Sequence, residues 1–316
     1  MANGYRKQWI KTSVSTYCRN HQCSVLTALF LASLLQISGC AAARLTQFHN
    51  FAQAGTAYTK ATQAVLDEAG TAAIEADSLI AQKGRDGLRT PDERRQFIIG
   101  NNQELRKRLV MLGDIGRHGR LLQSYFETLA SLADPKAPPT LGTAAQGVFD
   151  SIGALSPTIK NASFGGVKIG DHIPEATNFV VQAFKVKALE NELKARSKNI
   201  EREIALQEAA FSVITSTLET DLTVQLQLEE TNEVIEPFAA DKELPKGWPA
   251  RREEILRARV AAASSKSAQE AAAKIRESFV ALVENRLSEP SIGNIITAIN
   301  SMLNAIETIK KATPSK

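Results

Sequence analysis

From Phe48 to Leu79 apolar and small residues recur at alternating three- and four-residue spacing: Phe48, Phe51, Gly55, Tyr58, Thr62, Val65, Ala69, Ala72, Ala76 and Leu79. That is the stripe of a helix facing a bundle, and it predicts a helix over 44–83 that ends at Gly84-Arg85-Asp86-Gly87. A second helix is expected over 91–133. Thr90 at its N-cap, Pro91 at N1 and Glu93 at N3 form a capping box, and Phe97, Ile98, Leu105, Leu109, Leu112, Ile115, Leu122, Phe126 and Leu129 mark its apolar side. Residues 134–173 are rich in Pro and Gly around a modestly apolar piece, Leu141 to Leu155, and read as a crossover with one short helix. The next stretch, 175–236, has neither Gly nor Pro, so it predicts one long helix carrying Phe184, Leu189, Leu193, Ile200, Ile204, Phe211, Ile214, Leu218 and Leu222. An Ala-rich helix follows over 250–287. A shorter one over 291–312 has Ile295, Ile299, Leu303 and Ile306 on one face. The fold class expected is all-α: an elongated antiparallel helical bundle or coiled coil of about four long helices plus a short C-terminal one.

Composition supports this class and adds a charge pattern. The chain has 316 residues, 6% aromatic, and every proline lies beyond residue 90, a profile unlike that of a β-sandwich or barrel. The formal charge of +4 comes from 38 basic and 34 acidic residues. Arg6, Lys7, Lys11 and Arg19 lie within the first 39 residues, which hold no acid, so the remainder is formally neutral. Its charges are segregated into consecutive blocks. Residues 81–120 are net basic, 201–245 net acidic and 246–286 net basic, which predicts that the acidic half of the long helix lies beside basic partners.

The N-terminal region has its own signature. A basic, acid-free start is followed by a 13-residue apolar run, Val25 to Ile37, too short to span the ~30 Å hydrocarbon core of a bilayer. Behind it, Ile37-Ser38-Gly39-Cys40 resembles the lipobox of bacterial lipoprotein precursors. The resemblance covers about the first 41 residues. It implies a signal peptide over 1–39, cleavage between Gly39 and Cys40, and a diacylglyceryl (palmitate-type) membrane anchor on Cys40, leaving 40–316 as the lipid-anchored helical domain. Ala41 after the cysteine implies the outer membrane rather than the inner. A plain secretory signal cut near Ala41-Ala42-Ala43 is the alternative. With Cys18 and Cys23 in the leader, Cys40 is the one cysteine kept, so no disulfide is expected.

Candidate chemistry is sparse. His49, His118 and His172 fall on separate segments, without the spacing of a zinc site, and neither a nucleophile elbow nor a phosphate loop occurs. Gly113, Gly116 and Gly119 share one side of the second helix beside Arg117, His118 and Arg120. They mark either an anion contact or a close helix crossing. Arg106-Lys107-Arg108 is a second basic cluster, and Trp248 is either an anchor for a partner or a lid on the bundle end. Neither cluster has interleaved aromatics, which argues against nucleic acid. The expectation is a lipoprotein scaffold or binding protein facing the periplasm, with an envelope protein or glycan as partner, without metal or cofactor and without catalytic activity. Two alternatives are a membrane-active helical protein resembling long-helix pore-forming toxins, inserting 141–170, and an enzyme with a site assembled across the bundle.

Overall fold

The computed structural model describes residues 6–134, 136–138, 140–184, 186–262 and 267–312, with side chains from residue 44 onward apart from 261, 262, 267, 289 and 312. Residues 1–47 and 48–316 are two compact units. The first is described only as backbone of α1 (Arg6–Gly84) and the side chains of 44–47.

The second unit is an all-α bundle. It holds the rest of α1, then α2 (Pro91–Leu132), α3 (Thr140–Asn161), α4 (Lys187–Glu229), α5 (Glu236–Ala239), α6 (Trp248–Ala262), α7 (Ser267–Val283) and α8 (Glu289–Ala312). Its described core begins at Phe48 and runs to Ile309. The capping box forms as expected: the Glu93 amide donates to Thr90 Oγ1 at 3.2 Å and Glu93 Oε2 accepts from the Thr90 amide at 3.0 Å. Bonds from the backbone amides of Thr90 and Arg89 hold the Glu93 carboxyl below its usual pKa.

The α1 stripe is buried from Phe48 to Ala76. Its small residues let α2 come close. A Cβ on Gly116 would stand 2.9 Å from Gln63 Oε1 and 3.3 Å from Leu66 Cδ1, whereas one on Gly113 would meet nothing within 4 Å. Cross-contacts fix the directions. Phe51 packs against Phe126 at 5.0 Å and Gln63 accepts from Arg120 at 2.8 Å, so α1 and α2 are antiparallel. Tyr58 meets Phe211 while Glu75 meets Gln225, so α4 runs parallel to α1. Phe279 of α7 completes a ring cluster with Phe51 and Phe126 at 6.1 and 6.0 Å.

Two expectations are corrected, the start of the long helix and the place of Leu303 on the last one. The long helix starts at Lys187, twelve residues later than read, and continues beyond Glu229 through a π-helical turn, Glu230–Ile235, into α5, which accepts Pro237 in its first turn. Residues 173–184 form no regular element, and Phe179 and Phe184 are buried as part of this strap. Pro174 stands at its start, but 175–184 hold neither Gly nor Pro. What holds it is tertiary: the Thr177 hydroxyl donates to Glu201 at 3.0 Å and the Gln182 amide to the Val283 carbonyl at 3.3 Å.

Within 250–287 the described helices are α6 and α7, with 263–266 outside the described residues. The second of these ends at Val283, where Asn285 takes φ 58° and the Arg286 amide reaches back to the Ala281 carbonyl at 2.8 Å, a Schellman closure. In α8 Leu303 is exposed, and Met302 and Ile309 are buried beside Ile295, Ile299 and Ile306. The crossover is structured around one helix, as expected. Helix α3 runs 22 residues through Pro157 with Ala145, Ile152, Leu155 and Ile159 buried. A two-residue hairpin turn at Gly165-Gly166, both at positive φ, then joins β1 (Ser163–Phe164) to β2 (Val167–Lys168). Among the described residues no helix is long and apolar enough to cross a membrane.

Two tests follow from this packing. Gly113→Ala raises stability by about 0.5–1 kcal/mol, the gain from removing a helix-interior glycine in open space, whereas Gly116→Leu lowers it by about 1–3 kcal/mol through overpacking; denaturant midpoints read both. The buried Glu68 carboxyl, facing Lys310 and Glu75, has its pKa raised, chiefly by burial. The folded state therefore binds its proton more tightly than the unfolded chain, and this site's contribution to stability, full below the ordinary value of 4.5, is lost as pH rises through the folded value. Glu68→Gln should raise the thermal midpoint at pH 7, with the advantage shrinking to nothing as pH falls below 4.5.

Candidate functional site

The densest polar constellation lies where α2, α3 and α4 meet. Glu203 and Gln207, one turn apart on α4, meet His118 of α2, which is fully buried. Gln207 Nε2 lies 3.1 Å from the Ile115 carbonyl and 2.7 Å from His118 Nδ1. The two amide protons serve those two acceptors, which makes Nδ1 an acceptor and assigns the ring proton to Nε2, 3.1 Å from Glu203 Oε2. Ser156 Oγ of α3 is 2.6 Å from the same carboxylate oxygen and 2.7 Å from the Ile152 carbonyl. The carboxylate therefore sits between serine and histidine. A nucleophilic serine needs the imidazole as its direct neighbour, so this order ties three helices together and builds no proton relay.

The same logic recurs along α4. Glu192 accepts from Tyr125 Oη at 3.0 Å and pairs with Arg196, which also reaches Gln146 of α3. Burial first, and Glu192 second, push the Tyr125 phenol well above its usual pKa. Glu201 and Glu208 share Arg276 of α7 at 3.2 and 2.7 Å. Burial works against the Arg276 charge, and the two carboxylates more than offset it, so its pKa is raised. Nearer the far end Asp221 pairs with Arg108, Glu229 and Glu233 with Arg251, and Glu230 with Arg259 at 2.8 Å. The acidic block of α4 thus lies between the two basic blocks, as their segregation in the sequence predicts.

The sequence-derived candidates separate accordingly. Gly39 and Cys40 belong to the backbone of α1, with side chains outside the described residues. Arg108 lies between Asp221 and the face of the Phe164 ring, 5.0 Å from its centroid. Arg117 pairs with Asp114 on its own helix at 2.7 Å and Arg120 with Gln63, while His118 points inward. The cluster Arg117-His118-Gly119-Arg120 is therefore divided between surface and core. Gly116 serves the close approach to α1, and Gly119 faces Gln207 of α4. Trp248 opens α6, donating its indole N–H to the Val234 carbonyl at 3.0 Å and stacking at 5.5 Å on Phe238, which is 67% exposed. It fastens the π-helical turn.

Arg106 and Lys107 alone border an open groove. The residues missed by motif reading, Ser156, Glu203, Gln207 and Arg276, carry one legible signal: on α4, acids and amides at helical spacing share the face of the apolar stripe. Among the described residues no cluster of three or more His, Cys, Asp or Glu side chains could hold a metal ion. No family model, curated protein or solved structure matches the chain.

Removing Arg276 strands Glu201 and Glu208 in the interior. Arg276→Met should cost about 3–5 kcal/mol, against under about 1 kcal/mol for Arg257→Met, whose pair with Glu253 is exposed. Urea unfolding of the two variants makes the comparison.

Proposed function

We propose that the protein is a lipoprotein of the bacterial outer membrane whose helical body serves as a scaffold or binding protein for another envelope component in the periplasm. The observation that carries this reading is Ile37-Ser38-Gly39-Cys40 placed directly behind a basic start and a short apolar run. Cys40 takes the diacylglyceryl group, and the burial of its acyl chains, at about 0.8 kcal/mol per CH₂, makes two or three chains a stable tether. The character of the body supports the binding half. Its polar interior is engaged in helix-to-helix bonds, which leaves recognition to the surface and its grooves.

Replacing the cysteine tests the anchor. In Cys40→Ala the precursor accumulates uncleaved, incorporation of a clickable palmitate analogue is lost, and globomycin no longer changes the electrophoretic size of the product. A variant that is still cleaved and still sediments with outer membranes as the parent does would overturn the proposal.

A further inference from the structure

Helices α2 and α3 border a groove of ≈ 370 Å³ lined by Arg106, Lys107, Val110, Met111, Asp114, Thr158, Ile159 and Ala162. Its floor is apolar: Ile159 and Met111 belong to the core, and Val110 is 66% exposed on a helix position where a charged residue would ordinarily sit. The two charged pairs at the rim do not close it. Lys107 pairs with Glu104 at 2.6 Å and Asp114 with Arg117 at 2.7 Å, both along α2 itself. Arg106 is exposed, and among the described residues it has no acidic partner. The far wall is fixed in place. The Ala162 carbonyl accepts from the Ile169 amide at 3.1 Å, so the end of α3 is tied to the hairpin that follows it.

An apolar trough with one uncompensated guanidinium at its mouth matches an amphiphile of defined polarity. We infer that this groove binds a single-chain anionic amphiphile, a long-chain fatty acid, with the acyl chain along Val110, Met111, Ile159 and Ala162 and the carboxylate on Arg106. The planar carboxylate suits the two-pronged guanidinium, and the trough is within the ~300–1,000 Å³ range of ligand sites. Charge complementarity sets the head end. A neutral chain would gain no charge attraction from Arg106, and a cationic one would be repelled by it. This inference does not depend on the lipid anchor, since no residue of the groove lies near Cys40 in sequence.

The test uses the full chain in membranes of bacteria expressing it, once as the parent and once as Cys40→Ala, exposed to a fatty acid carrying a diazirine and an alkyne. Adducts are mapped by mass spectrometry. The expected result is labelling on peptides containing Val110 and Ile159 in both backgrounds, reduced at least threefold in Arg106→Ala and absent in Val110→Asp. Circular dichroism should show both variants as helical as the parent. The matching long-chain alcohol should label at least threefold less. Equal labelling by acid and alcohol, labelling undiminished by Arg106→Ala, or adducts concentrated instead near Leu256 and Val260 would each overturn the inference. So would labelling of these peptides only by a diazirine phospholipid in bilayers, which would make the groove a membrane contact. Loss of anchoring in Cys40→Ala with groove labelling retained separates this site from the tether.

Discussion

Charges do not enter the interior of a helical bundle without partners, and α4 brings several. Glu192, Glu201 and Glu208 are buried in the second unit, and each needs a donor from a neighbour. The donors come from different directions: Tyr125 of α2, Thr177 of the strap and Arg276 of α7. Because a donor set of this kind is satisfied in only one register, the carboxylates fix where each surrounding helix stops along α4. Apolar contacts such as Leu193 or Leu218 would tolerate a slip of one turn far more easily, since one buried leucine position resembles the next. Stability comes mostly from the apolar face, and the arrangement is chosen by the charged one.

The second constraint is distance. Gly55, Gly70 and Gly116 keep α1 and α2 close, with Phe126, Leu109 and Leu66 packed against the bare backbone. That closeness brings Phe51, Phe126 and Phe279 into one cluster and carries α7 onto the same pair of helices. Small residues on α1 and buried acids on α4 therefore work on opposite sides of one problem. The first sets how near the helices come, the second at which level they meet.

The sequence shows the first of these clearly and the second only in part. The α1 stripe, the capping box of α2 and the face of α4 follow from local spacing, and the structure places them as that spacing requires. Charge segregation was also readable, because net charge in blocks of forty residues does not depend on knowing individual partners. The strap over 173–184 was not. Pro174 keeps a helix from running through the start of the strap, but nothing local says that 175–184 stay outside one; what holds them is the bond of Thr177 to Glu201 and of Gln182 to the Val283 carbonyl, contacts more than twenty residues away. For the candidate site the limit is of the same kind. The cluster Arg117-His118-Gly119-Arg120 looks like a single patch in one dimension, but a helix turns 100° per residue, which puts His118 in the core and Arg117 on the surface.

That rotation also explains why Arg106 is distinct from its neighbours. Arg108, two positions on, faces α4 and meets Asp221, and Lys107 is answered by Glu104 on its own helix. Arg106 points toward α3 instead, whose facing residues near the groove, Thr158, Ile159 and Ala162, carry no charge. The acids of α4 and its π-helical turn take Arg108, Arg251, Arg259 and Arg276 from the basic blocks, and Arg106 is left beside an exposed valine. Pairing it internally would have required a single acid on α3 near residue 158, a change the solvent-facing side of that helix could accommodate. The uncharged wall opposite this guanidinium is therefore a property of the surface, set apart from the register-fixing chemistry inside, and it leaves a place where an outside anion with an apolar tail completes what the fold leaves open.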